Sequence, residues 1–222
     1  VKNAVGYSTH AVTETTIGAA IALMRQVVYY DRYTKEQYAG AARQFHFGRT
    51  TRQLHGSRWG IVGMGNIGRS VARVAEALGC EVAYTSTSGV VREEPYPARP
   101  LDELLAWADV VSVHCPLTDR TRGLIGAREL ARMKPSALLI NVARGGIVDE
   151  AALAAALDAG QLAGAALDVF VHEPLDVGNP LLAIREPDRL LLSPHNAWSP
   201  AEAVGVLVEC IVRNIRENFP EQ

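Results

Sequence analysis

The chain has 222 residues, 48% of them apolar and 21% charged, and a formal net charge of −2 at pH 7. That balance belongs to an ordinary folded protein and leaves no basic excess for nucleic acid or an anionic membrane surface. The longest uncharged apolar window, Thr15–Met24, is far too short to span a bilayer.

Three well-separated cysteines (Cys80, Cys115 and Cys210) give neither a disulfide framework nor a CxxC pair. This fits a reducing cytoplasm. No pair of His, Cys or carboxylate positions has metal-ligand spacing, so no metal is expected. The chain opens at Val1 in mid-pattern, without a signal-peptide pattern, as a piece of a longer protein would.

In chain order, residues 9–30 read as one long, mostly apolar helix. An aromatic and basic stretch follows, with Tyr29, Tyr30, Tyr33, Tyr38, Phe45 and Phe47 among Arg43, Arg49 and Arg52. It lacks a clean period. Two readings stand equal: an excursion that covers a partner subunit, or an irregular loop packed on its own domain.

The apolar run Trp59–Val62 then leads into Gly63-x-Gly65-x-x-Gly68, and a helical pattern begins at Asn66. A strand ending in a glycine turn on which a helix starts aims free N–H groups and the positive helix end at one point. A pyrophosphate can sit there. Gly63 would make the turn, Gly65 would let the backbone approach phosphates, and Gly68 would let helix and strand pack closely.

Further short apolar runs follow at Glu81–Thr85, Val110–His114, Ala137–Asn141, Ala163–Asp168 and Leu190–Ser193. They alternate with helices near 66–78, 101–107, 126–133 and 149–159. Asp149 suits an N-cap and Gly160 a C′ position. Residues 94–100 read as a surface loop. Ser199-Pro200-Ala201-Glu202 has the form of a capping box opening a last helix to about Asn218. The whole predicts an α/β fold, a doubly wound parallel sheet of the Rossmann dinucleotide-binding kind.

In such a sheet, reactive groups belong at the carboxyl ends of the strands. Arg144, flanked by small residues after the fourth strand, can offer a ligand carboxylate two parallel donors. His195 follows the sixth strand on a proline-stiffened loop, where an imidazole can give and take a proton near neutral pH. Taken alone it could equally be an ordinary loop histidine. A carboxylate within reach would orient the ring and favour its protonated form. Glu173 suits that role better than Asp168, which can instead meet the nicotinamide end of a cofactor. After the second strand, Thr85-Ser86-Thr87 replaces the acid that usually accepts from the ribose 2′-OH, so a 2′-phosphate meets no like charge. No arginine stands in that stretch, and Arg92 lies some way beyond. The cofactor is therefore NAD or NADP, with a lean to dual use.

These residues also carry a family resemblance. The segments Gly63–Gly68, Val113-His-Cys-Pro-Leu-Thr118, Asn141-Val-Ala-Arg-Gly-Gly-Ile-Val-Asp149, Leu167-Asp-Val-Phe-x-x-Glu-Pro174 and Ser193-Pro-His-Asn-Ala-Trp198 fall in the order found in D-isomer-specific 2-hydroxyacid dehydrogenases. The chain resembles that family over most of its length. Trp198 and the Tyr84–Gly89 stretch look most like glycerate dehydrogenases, also called hydroxypyruvate reductases.

The resemblance implies hydride transfer between NAD(P)H and a small 2-oxo acid, most like hydroxypyruvate, with D-glycerate as the product. His195 would protonate the alkoxide, Glu173 would hold the ring, and Arg144 would bind the substrate carboxylate. Gly63, Gly65, Asn66, Ile67, Gly68, Thr87, Val142, Ala143 and Asp168 would line the cofactor. His114, Cys115 and Pro116 would wall its adenosine half.

It also implies that most of an N-terminal substrate domain is absent. Residues 1–8 would be its remnant, 9–198 the dinucleotide-binding domain, and 199–222 a helix that packs back on the substrate domain. A cytoplasmic homodimer is the family expectation. The alternative from another class is a dinucleotide-sensing regulator, like the family's corepressors.

Overall fold

A computed structural model of the chain describes residues 4, 6–89 and 93–218. Arg92, residues 1–3 and 5 of the amino-terminal segment, and residues 219–222 of the carboxyl-terminal one lie outside the described residues.

Six strands form one sheet: β1 (Arg58–Val62), β2 (Glu81–Thr85), β3 (Val110–Val113), β4 (Leu138–Asn141), β5 (Gly164–Leu167) and β6 (Leu190–Leu192). Their order is β2-β1-β3-β4-β5-β6, and every neighbouring pair is parallel. Each strand begins or ends within a residue or two of its sequence expectation. The apolar runs are legible because both faces are covered: all four residues of β3, β4 and β5 are buried. Beyond β2, Tyr84 makes an isolated parallel bridge with Ala98, through Tyr84 N–H to the Pro97 carbonyl at 3.0 Å and Arg99 N–H to the Tyr84 carbonyl at 2.8 Å. The 94–100 loop thus closes the sheet edge as well as crossing the surface.

Helices cover both faces. On one lie α1 (Thr9–Met24) and α3 (Asn66–Ala77), packed on each other and on the sheet around Trp59, Ile61, Val71 and Ile140. On the other lie α4 (Leu101–Trp107), α5 (Ala127–Leu130) and α6 (Glu150–Asp158), around Leu104, Leu139, Ile147 and Leu153. Asp149 caps α6, accepting from Ala152 N–H at 3.0 Å, and Gly160 follows it at φ +69°. The chain crosses from one face to the other between β1 and β3. A crevice therefore opens at the carboxyl ends of those two strands.

Three local expectations change. The 9–30 helix is broken: Gln26 turns left-handed at φ +54°, and a second helix, α2 (Val27–Tyr33), continues into a π-turn at Thr34–Tyr38. The break is held from outside, where Arg52 N–H bonds the Met24 carbonyl at 2.8 Å.

The aromatic stretch is tied to its own domain, one of the two readings expected. Its base is anchored on its own domain by Arg49 to Glu186 (3.1 Å) and Arg32 to Asp188 (2.5 Å), and His46 stacks on Tyr33 at 3.6 Å. Its tip carries Phe47 91% exposed.

The last helix, α7 (Ala201–Asn218), starts within the expected Ser199–Glu202 box and ends where expected, but the Ser199 hydroxyl donates back to the Asn196 carbonyl at 2.8 Å. Among the described residues no helix is long and apolar enough to cross a membrane.

The glycine turn tolerates little. Gly63 sits at φ +97°, and a Cβ there would come within 2.9 Å of the Cys115 backbone. A Cβ on Gly68 would collide with the Gly63 carbonyl. Gly68→Ala therefore overpacks backbone against backbone, where no side chain can give way. We expect it to lower unfolding free energy by ~1–3 kcal/mol in urea titrations. An unchanged midpoint would show that helix and strand can separate freely.

Candidate active site

Two adjoining clefts occupy the crevice and share His114, Cys115 and Pro116 as their dividing wall. The smaller, about 230 Å³, runs along Gly63, Met64 and Gly65 to Ser86, Thr87 and Ser88. The larger, about 480 Å³, is lined by Ile67, Val142, Ala143, Arg144, Asp168 and His195 among others. Of the expected cofactor positions, Gly68 lies beneath the turn rather than in a cleft, and Asn66 is exposed at the first position of α3.

The residues fit a dinucleotide. Among the described residues, no atom beyond its chain neighbours lies within 4 Å of where a Gly65 side chain would begin, and no side chain caps the start of α3. The first N–H groups of that helix therefore face open space, as a pyrophosphate requires. At the far end of the smaller cleft the lining is hydroxyl, with Ser86 Oγ and Ser88 Oγ 3.2 Å apart. Arg120, from the loop after β3, brings its guanidinium up to Gly89. That cation is not legible in the sequence, since it lies over thirty positions from the Thr85–Thr87 stretch.

The dividing wall is polar inside. Trp59 Nε1–H donates to Ser112 Oγ at 2.9 Å, and Ser112 Oγ lies 2.9 Å from His114 Nε2. Burial pushes the His114 ring down to about 3, so it stays neutral, and its Nδ1 is buried without a partner among the described residues. Burial also pushes the Cys115 thiol up to about 11. It is a protonated wall and no nucleophile.

Arg144 and His195 line the larger cleft, and Glu173, from a third loop, bonds His195. Asn141 shapes the first loop: its Oδ1 accepts from Ala143 N–H at 3.1 Å and its Nδ2 donates to the Arg144 carbonyl at 3.0 Å. Arg144 Nη1 donates to the Ala143 carbonyl at 2.6 Å, and the side chain lines the cleft mouth. Glu173 Oε2 lies 2.7 Å from His195 Nδ1, while its Oε1 accepts from Phe170 N–H at 2.9 Å.

Burial pulls the Glu173 carboxyl up. The bonds from His195 and Phe170, with the charges of His195 and Arg144, outweigh that and hold it below the usual carboxylate range. With Nδ1 taken by Glu173, the other ring nitrogen of His195 is left for a ligand.

Asp168, expected at the nicotinamide end of a cofactor, is among the residues that line the larger cleft, and its buried carboxylate bonds its own neighbours. Oδ1 accepts from Ser193 Oγ (2.5 Å) and Asn196 N–H (3.0 Å), and Oδ2 from Ala197 N–H (3.0 Å). The Asp168 carbonyl also accepts from His195 N–H at 2.8 Å. This clamp holds His195 in the left-handed region at φ +53°. The sequence offered no sign of it, because the loops after β5 and β6 become neighbours only through strand order. No group of three or more His, Cys, Asp or Glu that could hold a metal is gathered among the described residues.

A carboxyl lowered in the folded state stabilises the fold above its unfolded value, and the gain is lost as pH falls through the folded one. Replacing Glu173 by Gln should cost at most ~1 kcal/mol at neutral pH, since the pair is partly exposed. The gap between the two proteins should close on acidification below about 4.5, the carboxyl's ordinary value. Urea denaturation from pH 7 to 3 measures it, and a gap that widens toward acid would contradict the assignment.

Residues 17–197 match the family model described as D-isomer specific 2-hydroxyacid dehydrogenase, NAD binding domain. The chain is 38% identical over 219 residues to a glycerate dehydrogenase of Methylorubrum extorquens, covering 97% of this chain and 67% of that protein. It is similar to the solved D-lactate dehydrogenase of Aquifex aeolicus, complexed with NAD and lactic acid (TM-score 0.83, 26% identity, 96% of this chain and 69% of that one). It is similar also to an acyclic imino acid reductase in complex with NADPH and D-Arg (TM-score 0.88, 26% identity, 99% and 68%). Other curated relatives carry the names glyoxylate reductase and D-3-phosphoglycerate dehydrogenase. The chain thus spans about two thirds of the length of these three proteins. With the glycine turn, the open helix start and the parallel sheet, the match over 17–197 shows that the chain belongs to the D-isomer specific 2-hydroxyacid dehydrogenases, a family of NAD(P)-dependent oxidoreductases, and contains their NAD-binding domain.

Proposed function

We propose that the full-length protein interconverts a small 2-oxo acid and its D-2-hydroxy acid with NAD(P)H, and that hydroxypyruvate and D-glycerate are its preferred pair. The observation that carries the reading is the 2.7 Å contact of His195 with Glu173 near Arg144, at a cleft that adjoins the one along the glycine turn. A reduced nicotinamide supplies the hydride when bound. Arg144 binds the substrate carboxylate through its planar donors and turns the keto carbon toward the ring. His195 gives its proton to the oxygen as negative charge develops there, and Glu173 holds the imidazole through Nδ1. Main chain around Val142 and Ala143 and the side chain of Ile67 line the nicotinamide half, while Thr87, Cys115 and Pro116 wall the adenosine half. Hydroxyls and a nearby Arg120 in place of an acid support use of both NADH and NADPH.

The choice of hydroxypyruvate rests on Trp198 and the glycerate dehydrogenase likeness. Tyr7 meets Trp198 edge to face, with centroids 6.3 Å apart, so the amino-terminal segment touches the substrate end of the cleft. We assign residues 1–8 to the end of a substrate domain, 9–198 to the dinucleotide-binding domain, and 199–222 to a helix that packs back on the substrate domain. Exposed Val208, Ile211 and Ile215 on α7 fit that packing. A homodimer covering the exposed Phe45 and Phe47 completes the assignment.

The test is NADH oxidation by the full-length protein across a panel of 2-oxo acids. We expect hydroxypyruvate to give the highest kcat/KM. His195→Ala should lower kcat by ~10²–10⁴ with NADH affinity nearly unchanged. Arg144→Lys should raise KM for the acid more than it lowers kcat, because it loses the paired donors. The 222-residue chain should bind NADH yet turn over poorly. Full activity in the His195 variant would end the proton-donor assignment, and a better substrate than hydroxypyruvate would end the finer one.

A further inference from the structure

We infer that Glu150 is a positioning residue for the Glu173–His195 pair, acting through the Phe170–Val171 peptide. The inference rests on the proton-donor reading given above and names a residue that touches neither substrate nor cofactor.

The segment that carries Glu173 has little to hold it. Val171, His172, Glu173 and Pro174 are exposed, as are Asp176, Val177 and Gly178, and only Leu175 packs partly on the core. Apolar burial therefore cannot fix the Glu173 carboxylate to the tolerance that a 2.7 Å contact needs. Glu150 supplies polar ties at both ends of this segment. Its Oε1 accepts from Val171 N–H at 2.7 Å, and its Oε2 from Asn179 Nδ2–H at 2.6 Å. Asn179 is itself fixed, with Oδ1 accepting from Leu181 N–H at 3.0 Å. An acid in the first turn of a helix would ordinarily serve that helix or face water. Here Asp149 already caps α6, and both oxygens of the next residue reach across to another loop.

The peptide that Glu150 grips is a junction. The adjoining Phe170 N–H donates to Glu173 Oε1 at 2.9 Å. On the other side Gly145 lies against the Phe170 carbonyl, so closely that a Cβ would collide with it and come 2.7 Å from Val171 N. Gly145 follows Arg144 directly. Two successive peptide units joined at the buried Phe170 thus set the Arg144 loop, the Glu173 carboxylate and, through it, the His195 ring. The charged groups facing His195 are Glu173 from the loop after β5 and Arg144 from the loop after β4, with Asp168 beneath its turn.

The test follows the Glu173 side-chain carboxyl by ¹³C NMR titration in the 222-residue chain, and needs no substrate. In the wild type the midpoint should lie below the ordinary carboxylate value. His195→Asn should raise it. Glu150→Ala should raise it by at least half as much, and Asn179→Ala and Glu150→Gln each by less, because in both Val171 N–H keeps its acceptor and only the Asn179 tie is lost. In the full-length protein Glu150→Ala should lower kcat about 10-fold or more with NADH affinity unchanged.

A Glu150→Ala midpoint equal to wild type, with only a lower melting temperature, would make Glu150 merely structural and overturn the inference. If that variant does not fold, an unmoved midpoint in Asn179→Ala overturns it. If His195→Asn fails to move Glu173, the pairing falls and the inference with it. Absence of turnover on every 2-oxo acid would instead count against the proposed reaction alone.

Discussion

An acceptor shut away from water must be met by donors, or the fold loses on the order of 1–3 kcal/mol for each lost partner. Asp168, 2% exposed at the end of β5, meets this demand with a hydroxyl and two N–H groups from the five residues after β6. The rest of the site follows from that satisfaction. Drawing Asn196 and Ala197 inward forces the intervening chain into a tight turn, and His195 occupies the strained left-handed position within it. Its ring is thereby set toward Glu173. The same carboxyl group links two neighbouring strands at their carboxyl ends, so the histidine loop cannot shift without disturbing the sheet.

Electrostatics in the site divide between two kinds of place. The His114 ring is kept neutral and the Cys115 thiol protonated by burial, which makes the wall between the two clefts inert to charge. Across the larger cleft, charge is gathered instead: Glu173 is held ionised below its ordinary range beside an imidazole and a guanidinium. On the proposed reading, a ligand with a negative carboxylate and a carbonyl to be protonated would meet both complements at this end, beside a wall that does not compete for protons.

Much of the fold was legible because its cause is local. Runs such as Leu138–Asn141 and Val110–Val113 are apolar on both faces, and a strand covered on both sides needs nothing else to be read. Gly63 and Gly68 were legible for the reasons the structure bears out, a left-handed turn and a backbone approach. The break at Gln26 was not, since Arg52 imposes it from 26 positions away. Nor was the Asp168 clamp, which depends on β5 and β6 being neighbours, or the reach of Glu150 to Val171 and Asn179. Arg144, Glu173 and His195 could be named from their loops. Glu173 rather than Asp168 was expected to meet the imidazole, and its Oε2 lies 2.7 Å from Nδ1.

At the floor of the crevice, Gly63 touches Cys115 main chain to main chain. A surface made of peptide units is the same whatever side chains drift past it over evolutionary time. Substitutions elsewhere in the cleft walls therefore leave this stretch of the floor as it is.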